Sequence, residues 1–303
     1  MEFSNKMVNA VTERLKGEGS VDIVPVSKLN GIMLHGLSVR KQAEGAAPTL
    51  YLEELYKLYE AGMSLSSIIQ HVFEVVENTA TPQYVNLKDY ADYSKVKKNL
   101  SIKLVNASYN EELLKDVPHL RFHDLAVICH ALYQDKEAGQ ASVMVRNSHI
   151  VMWGVGPEEV MLTALENAAR IAPADMVSIT QYMRQMLHGR EDKECEEWFD
   201  YMENDPRNMY VLSNKYKKYG AAVIMYKGLL EQIGEGLQRD YVIIPSSVHE
   251  VLIMPWFDEI GLKELDDMVK EVNNTQLEPG EVLSDHVYMY HRDTKEVEAV
   301  IFD

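Results

Sequence analysis

Apolar and polar positions alternate along this chain in two rhythms. Phe3, Met7, Val11 and Leu15 recur every four residues, which places them on one stripe of a helix. VDIVPVSKL and GIMLHGLSVR then alternate at every second residue on either side of Asn30-Gly31. That dipeptide accepts the positive φ of a tight turn, so a hairpin is expected. LYLEELYKLYEAG and SLSSIIQHVFEVVEN return to helical spacing, separated by Gly62, with Ser64 as N-cap of the second helix. SIKLVNA reads as a strand, and FHDLAVICHALY and ASVMVRN as strands joined by the polar loop QDKEAGQ. Pro157 opens a helix that Pro173 follows.

The rhythm breaks at REDKECEEWFDYMENDPR, residues 190–207, where eight acidic side chains stand against three basic ones. This segment is expected to be an acidic linker between an N-terminal α+β module, 1–189, and a C-terminal module, 208–303. The second module reads as ββαββαββ: strands MYVLSN and AAVIMY around the turn KYKKYG, helix KGLLEQIGEGLQ, strands YVIIP and HEVLIMP, helix LKELDDMVKEVNN, and the pair HVYMYHR and EVEAVIF. Hairpins with interposed helices imply an α+β fold of largely antiparallel sheets with packed helices, in two modules of hairpin-helix-hairpin type. The order hairpin, helix, strand occurs at 123–179 and again at 209–245, which suggests an internal repeat.

Composition narrows the class. Of 303 residues, 46% are hydrophobic and 25% charged, ordinary for a globular chain with a sizeable core. No apolar run reaches the roughly 20 residues that span a bilayer, and the first residues carry distributed charges. A soluble, cytoplasmic protein without a membrane association is expected. Cys129 and Cys195 form no CxxC pair, which fits a reducing compartment. The formal net charge is −17, which opposes nucleic-acid binding through a basic surface. Of 47 acidic and 30 basic side chains, 22 and 18 lie in residues 1–188, leaving 25 and 12 beyond, a net −13.

Common catalytic signatures are absent: there is no GxGxxG, Walker A loop, HExxH, GxSxG or EF-hand loop. The richest corner is YVIIPSSVHEVLIMP, which gathers Ser246, Ser247, His249 and Glu250. Ser246 or Ser247 would serve as a hydroxyl nucleophile and His249 as its base. Strand alternation sends His249 and Glu250 to opposite faces, so a partner must come from another segment, His149 first. The same residues also suit a Ser-rich turn whose hydroxyls satisfy the backbone. In PHLRFHDLAVICH, His119, His123, Asp124 and His130 would need a third ligand such as His149 or His249 to bind a metal, and they also suit strand ends. In RNSHIVMWG, Asn147, Ser148 and His149 beside Trp153 would line a small-molecule pocket, or one of the first two would cap a short helix while Trp153 fills core. Lys215, Lys217 and Lys218 in KYKKYG would hold an anion or simply solvate a turn. No metal site and no cofactor is assigned. Seventeen tyrosines and sixteen methionines suit interaction surfaces as well as core.

VPHLRFHDLAVICHALY, RNSHIVMWGV, SNKYKKYGAAVIMYKGLL, IIPSSVHEVLIMP and VKEVNNTQLEPGEVLSDHVYMYHRDT together resemble a domain-of-unknown-function family of uncharacterised proteins abundant in anaerobic Gram-positive gut bacteria. The likeness runs over nearly the whole chain, through NSH, MWG, PSSxHEV and LSDHVY. The order of hairpin, helix, strand and histidine-bearing hairpin is also similar to the bacterial YtpQ-like family, which implies an α+β scaffold over 123–179 and 209–254. Neither resemblance supplies an activity. Asn147, Ser148, His149, Ser246, Ser247, His249, Asp285 and His286 are the polar positions within the shared motifs. A non-enzymatic binding or regulatory protein acting on a protein partner or small ligand is expected, with a hydrolase built on His249 and Ser246 or Ser247, or on a His-based metal site, as the alternative.

Overall fold

The structure is a computed structural model, and it describes residues 2–40, 49–78, 87–135, 139–187, 193–203, 205–259 and 261–302. The chain forms two compact units, 1–87 with 133–141, and 88–132 with 142–303. The first unit opens with the helix Glu2–Leu15, followed by β1 (Ser20–Ser27) and β2 (Met33–Arg40), which pair antiparallel from Ser20 opposite Arg40 to Ser27 opposite Met33. Asn30 and Gly31 both adopt positive φ at the turn, as the alternation implies. β3 (Thr49–Tyr51) extends this sheet beside β2, and the helices Leu52–Glu60 and Leu65–Asn78 follow. Ser64 caps the latter, its Oγ accepting the Ser67 N–H at 3.1 Å. Met7, Val11, Leu37, Val39, Leu52, Leu55, Ile68 and Val72 close the core.

The second unit holds two sheets. In one, β4 (Leu100–Asn106) and β5 (His119–Phe122) flank β6 (Leu125–Asp135), which also pairs with β7 (Gly139–Met144); the portions of β6 and β7 within 133–141 belong to the first unit. The other has six antiparallel strands. They are β8 (Ala174–Ser178), β9 (Tyr210–Asn214), β10 (Tyr241–Ser247), β11 (Glu250–Pro255), β12 (Val287–His291) and β13 (Glu296–Val300), in the order β13-β12-β10-β11-β9-β8. Alternation assigns its two faces. Val242, Ile244, Val287 and Met289 pack against Val269 of the helix Leu262–Thr275. Tyr241 and Tyr290 stack on the other face at 4.7 Å, where the Tyr241 hydroxyl donates to the Leu230 carbonyl of the helix Leu229–Leu237. The fold is α+β with antiparallel sheets, and no helix among the described residues is long and apolar enough to cross a membrane.

Several elements depart from the sequence pattern. AAVIMY is not a strand: Gly220–Met225 form a 3-10 helix. Lys217 and Tyr219 adopt positive φ ahead of it, and a Cβ at Gly220 would lie 2.1 Å from Ser213 Oγ and 2.6 Å from His249 O. The chain is thus turned and pressed against β9 instead of pairing with it, and the hairpin at 209–226, with the repeat it implied, does not form. NSHIVMW is the short helix Asn147–Trp153 that one reading of RNSHIVMWG expects, but its N-cap is Arg146, not Asn147 or Ser148. Within the expected acidic linker, Lys193–Glu203 are helical, while β8 and β9 pair directly from opposite sides of that segment, Ala174 opposite Asn214.

Candidate functional site

β10 and β11 meet in a two-residue corner, Val248-His249, with Ser247 opposite Glu250 and a bulge between Pro245 and Ser247. Both backbone groups of Val248 are engaged, its N–H donating to the Glu281 carbonyl and its carbonyl accepting from Ala221 N–H. The His249 ring is fixed from both sides. Nδ1 accepts the Tyr219 N–H at 3.0 Å, so in the neutral ring the proton sits on Nε2, 3.5 Å from Glu281 Oε1. The carboxylate beside His249 is therefore Glu281, not Glu250. Ser247 Oγ accepts the His249 N–H at 3.0 Å, and Ser213 Oγ donates to the His249 carbonyl at 2.7 Å. With one ring nitrogen on a backbone donor and the other on a carboxylate, neither is left to take a proton from Ser246 or Ser247. Lys103, buried in β4, lies over the Tyr219 ring with Nζ 3.8 Å from its centre.

The chain leaves Glu281 and enters a buried polar cluster at Ser284-Asp285-His286. Ser284 is fully buried and donates to Asp124 Oδ2 at 2.7 Å, while Tyr288 donates to Asp124 Oδ1 at 2.6 Å. Burial, with Asp124 alongside, pushes the Tyr288 hydroxyl far above its ordinary pKa. Asp285 accepts from Asn273 at 2.8 Å and from the Tyr109 hydroxyl at 2.7 Å. That hydrogen bond to a carboxylate, with some burial, pushes Tyr109 up to about 12. His286 Nδ1 lies 3.4 Å from Asp266 Oδ1, and Lys270 Nζ lies 2.6 Å from Asp266 Oδ2. Asp266 is fully buried, and its place between Leu262 and Val269 on the helix's apolar stripe was a legible signal of a buried partner.

Asn147, Ser148 and His149 lie elsewhere. Asn147 donates to the Lys115 carbonyl at 3.1 Å, and Ser148 is exposed. His149 Nδ1 accepts from the Tyr90 hydroxyl at 2.9 Å and the Arg146 N–H at 3.2 Å. Burial, then the Arg146 charge, holds its pKa below the ordinary value. Trp153 is buried and donates to the Tyr90 carbonyl at 2.8 Å. The partners of His149 and those of His249 do not overlap, so these histidines build no shared centre. His119 and His123 each meet a backbone carbonyl, of Val117 and Val297. His130 meets Ser142 Oγ at 2.8 Å. Among the described residues, no group of three or more His, Cys, Asp or Glu is placed to hold a metal. Lys217 pairs with Asp175 at 2.6 Å.

At the opposite end of β10, about 20 Å away for a strand of this length, is a cavity of about 400 Å³. Trp256, Leu262, Met289, Val300 and Ile301 give it apolar walls, and Asp240, His291 and Glu298 give it a polar one. His291 lies between the carboxylates, Nδ1 3.3 Å from Asp240 Oδ2 and Nε2 3.2 Å from Glu298 Oε2. Asp240 Oδ1 accepts the Arg292 N–H at 2.9 Å, which fixes the carboxylate's direction. The first unit has its own cavity of about 510 Å³, but there the charges pair one to one, Glu2 with Lys6 and Glu53 with His35. The Asp240 cavity keeps two carboxylates to one imidazole.

Residues 1–292 match a family of unknown function, DUF5688. The chain belongs to that family. No curated protein and no solved structure matches it. Membership covers the corner, the 284–286 cluster and most of the cavity wall, and assigns a role to none of them. Reading the sequence missed Asp240, Trp256, His291 and Glu298, which are scattered over 59 positions and carry no motif. Lys103 was visible as a lone charge in the apolar strand SIKLVNA.

Proposed function

We propose that this protein is a non-enzymatic binding protein whose small ligand occupies the cavity at the Asp240 end of the six-stranded sheet. The observation that carries the reading is the cavity itself: about 400 Å³, within the 300–1,000 Å³ or so typical of ligand sites, with apolar walls and a few converging polar groups. Its walls come from β12, β13, the start of the helix Leu262–Thr275 and the residues that flank β10 and β11, Asp240 and Trp256, so several elements that one sheet and one helix hold in place pre-form it. The candidate histidines at 149 and 249 are each oriented by backbone donors, which supports a structural role for them over hydrolysis. Neither the gut-bacterial setting nor the YtpQ-like resemblance adds a ligand.

Thermal unfolding in the presence of a broad metabolite set tests this. A ligand at a hundred times its Kd stabilises the folded state by about 2.7 kcal/mol, which raises Tm by several degrees. The Trp256→Ala variant is expected to lose that rise while keeping its circular dichroism spectrum. A set in which no compound raises Tm removes the reading. A protein partner is a second reading, favoured by the exposed Met183, Met186 and Leu187 of one helix and Trp198 and Tyr201 of the next. Specific capture that Met186→Asp abolishes would support it.

A further inference from the structure

We infer that the ligand of the Asp240 cavity is an organic cation, an ammonium or guanidinium group carried on a compact apolar body; this deepens the binding reading above and rests on it. Charge comes first. Asp240 and Glu298 share one imidazole. The three groups carry net −1 if His291 is protonated and −2 if it is neutral, so either state leaves negative charge facing the cavity. A neutral imidazole also has a single N–H. One of the two carboxylates then faces a ring nitrogen's lone pair, and a donor from a ligand would satisfy it.

The neighbouring cations are turned elsewhere. Arg239 lies over the Phe257 ring at 4.1 Å, with Nη1 donating to the Trp256 carbonyl. Arg292 Nη2 donates to Gln238 at 3.3 Å, and Lys263, at the cavity rim with Nζ 5.8 Å from the centre of the Phe302 ring, pairs with Asp267 at 3.3 Å. Among the described residues, no basic side chain besides His291 lines the cavity.

The remaining walls choose among cations. Trp256, Leu262, Met289, Val300 and Ile301 offer nothing to a hydrated metal ion, and no metal-holding group of side chains is present among the described residues. They suit a hydrocarbon body, and an indole face adds attraction for a nearby cation. A fixed Asp240 carboxylate, held by the Arg292 N–H, gives an ammonium a directed acceptor at little ordering cost. Phosphates, carboxylates and nucleotides are disfavoured by the same charge.

Isothermal titration calorimetry with phenethylamine, phenethyl alcohol and 3-phenylpropionate, matched in body and different in charge, tests the class. Phenethylamine is expected to bind, the alcohol at least tenfold more weakly, and the carboxylate not at all. The Asp240→Asn/Glu298→Gln double variant keeps the acceptor for the Arg292 N–H and should fold as the parent does. It is expected to weaken amine binding at least tenfold, and Trp256→Ala should weaken all binding. Equal binding of the carboxylate, unchanged amine binding by the double variant, or no binding by the amine overturns the inference. If a compound from the wider metabolite set loses its Tm rise in Trp256→Ala but not in the double variant, the cationic class fails while the binding reading stands.

Discussion

At Gly220 an added methyl group would lie 2.1 Å from the Ser213 hydroxyl and 2.6 Å from both the Asn214 nitrogen and the His249 oxygen. Two of those three atoms are backbone and cannot rotate away, so Gly220→Ala is expected to cost about 1–3 kcal/mol as overpacking, measured by urea unfolding. Tyr219 immediately before it is held at φ 53°, a conformation that side-chain-bearing residues adopt at a cost. Its N–H bond to His249 Nδ1 helps maintain it. His130 gives a pH prediction. Burial, then the nearby Lys103 charge, lowers its pKa to about 3, whereas the unfolded ring titrates near 6.5. Between those values the unfolded chain binds a proton that the folded chain does not, so stability falls as pH drops below about 6.5. The slope is about 1.4 kcal/mol per pH unit. Unfolding free energies of the parent and His130→Asn, compared between pH 7 and 5 where most carboxylates remain ionised, should fall more steeply in the parent, the variant keeping the smaller dependence of the same sign that His149 contributes.

At the scale of elements, the connector from Glu281 to Val287 is fixed by polar contacts more than by regular structure. Asp124, between β5 and β6, receives hydroxyls from Ser284 and Tyr288, and Asn273 donates to the Ser284 carbonyl at 2.9 Å. Asp124→Ala is expected to strand the buried Tyr288 hydroxyl, at about 1–3 kcal/mol, while Ser284 Oγ retains the His286 carbonyl as an acceptor at 3.3 Å. A double-mutant cycle with Tyr288→Phe should return a coupling term in chemical denaturation. Amphipathic helices were legible because each buries one face, and one face imposes a period; the β10–β11 hairpin, buried on both faces, was legible as two short apolar runs around a polar corner. Gly220–Met225 was not: it is a short apolar run whose conformation is chosen by what surrounds it, positive-φ residues and a tight contact.

Over the whole molecule, net charge −17 produces a field that concentrates cations and repels anions. Amine binding to the Asp240 cavity should therefore weaken as salt rises from about 0.01 M to 1 M, where the Debye length shrinks from about 30 Å to 3 Å. Phenethylamine titrations across that range should show a several-fold loss, and a salt-independent Kd would point to the apolar walls alone. The sequence by itself determined the α+β class, most helices and strands, the turn at Asn30-Gly31, the β10–β11 hairpin, though not the position of its corner, and the negative charge, because periodicity, turn chemistry and ionisation are local properties. It also marked Asp285 and His286 as polar positions worth testing. Only the tertiary structure decided that the carboxylate beside His249 is Glu281, that His149 and His249 have separate partners, and that strands on either side of the acidic segment pair in one sheet. It also assembled the Asp240 cavity from the residues just before β10 and just after β11, the end of β12, the edge strand β13 and the start of the helix Leu262–Thr275. Such contacts join residues far apart along the chain, and their geometry is set by how sheets and helices pack, which no local pattern of residues encodes.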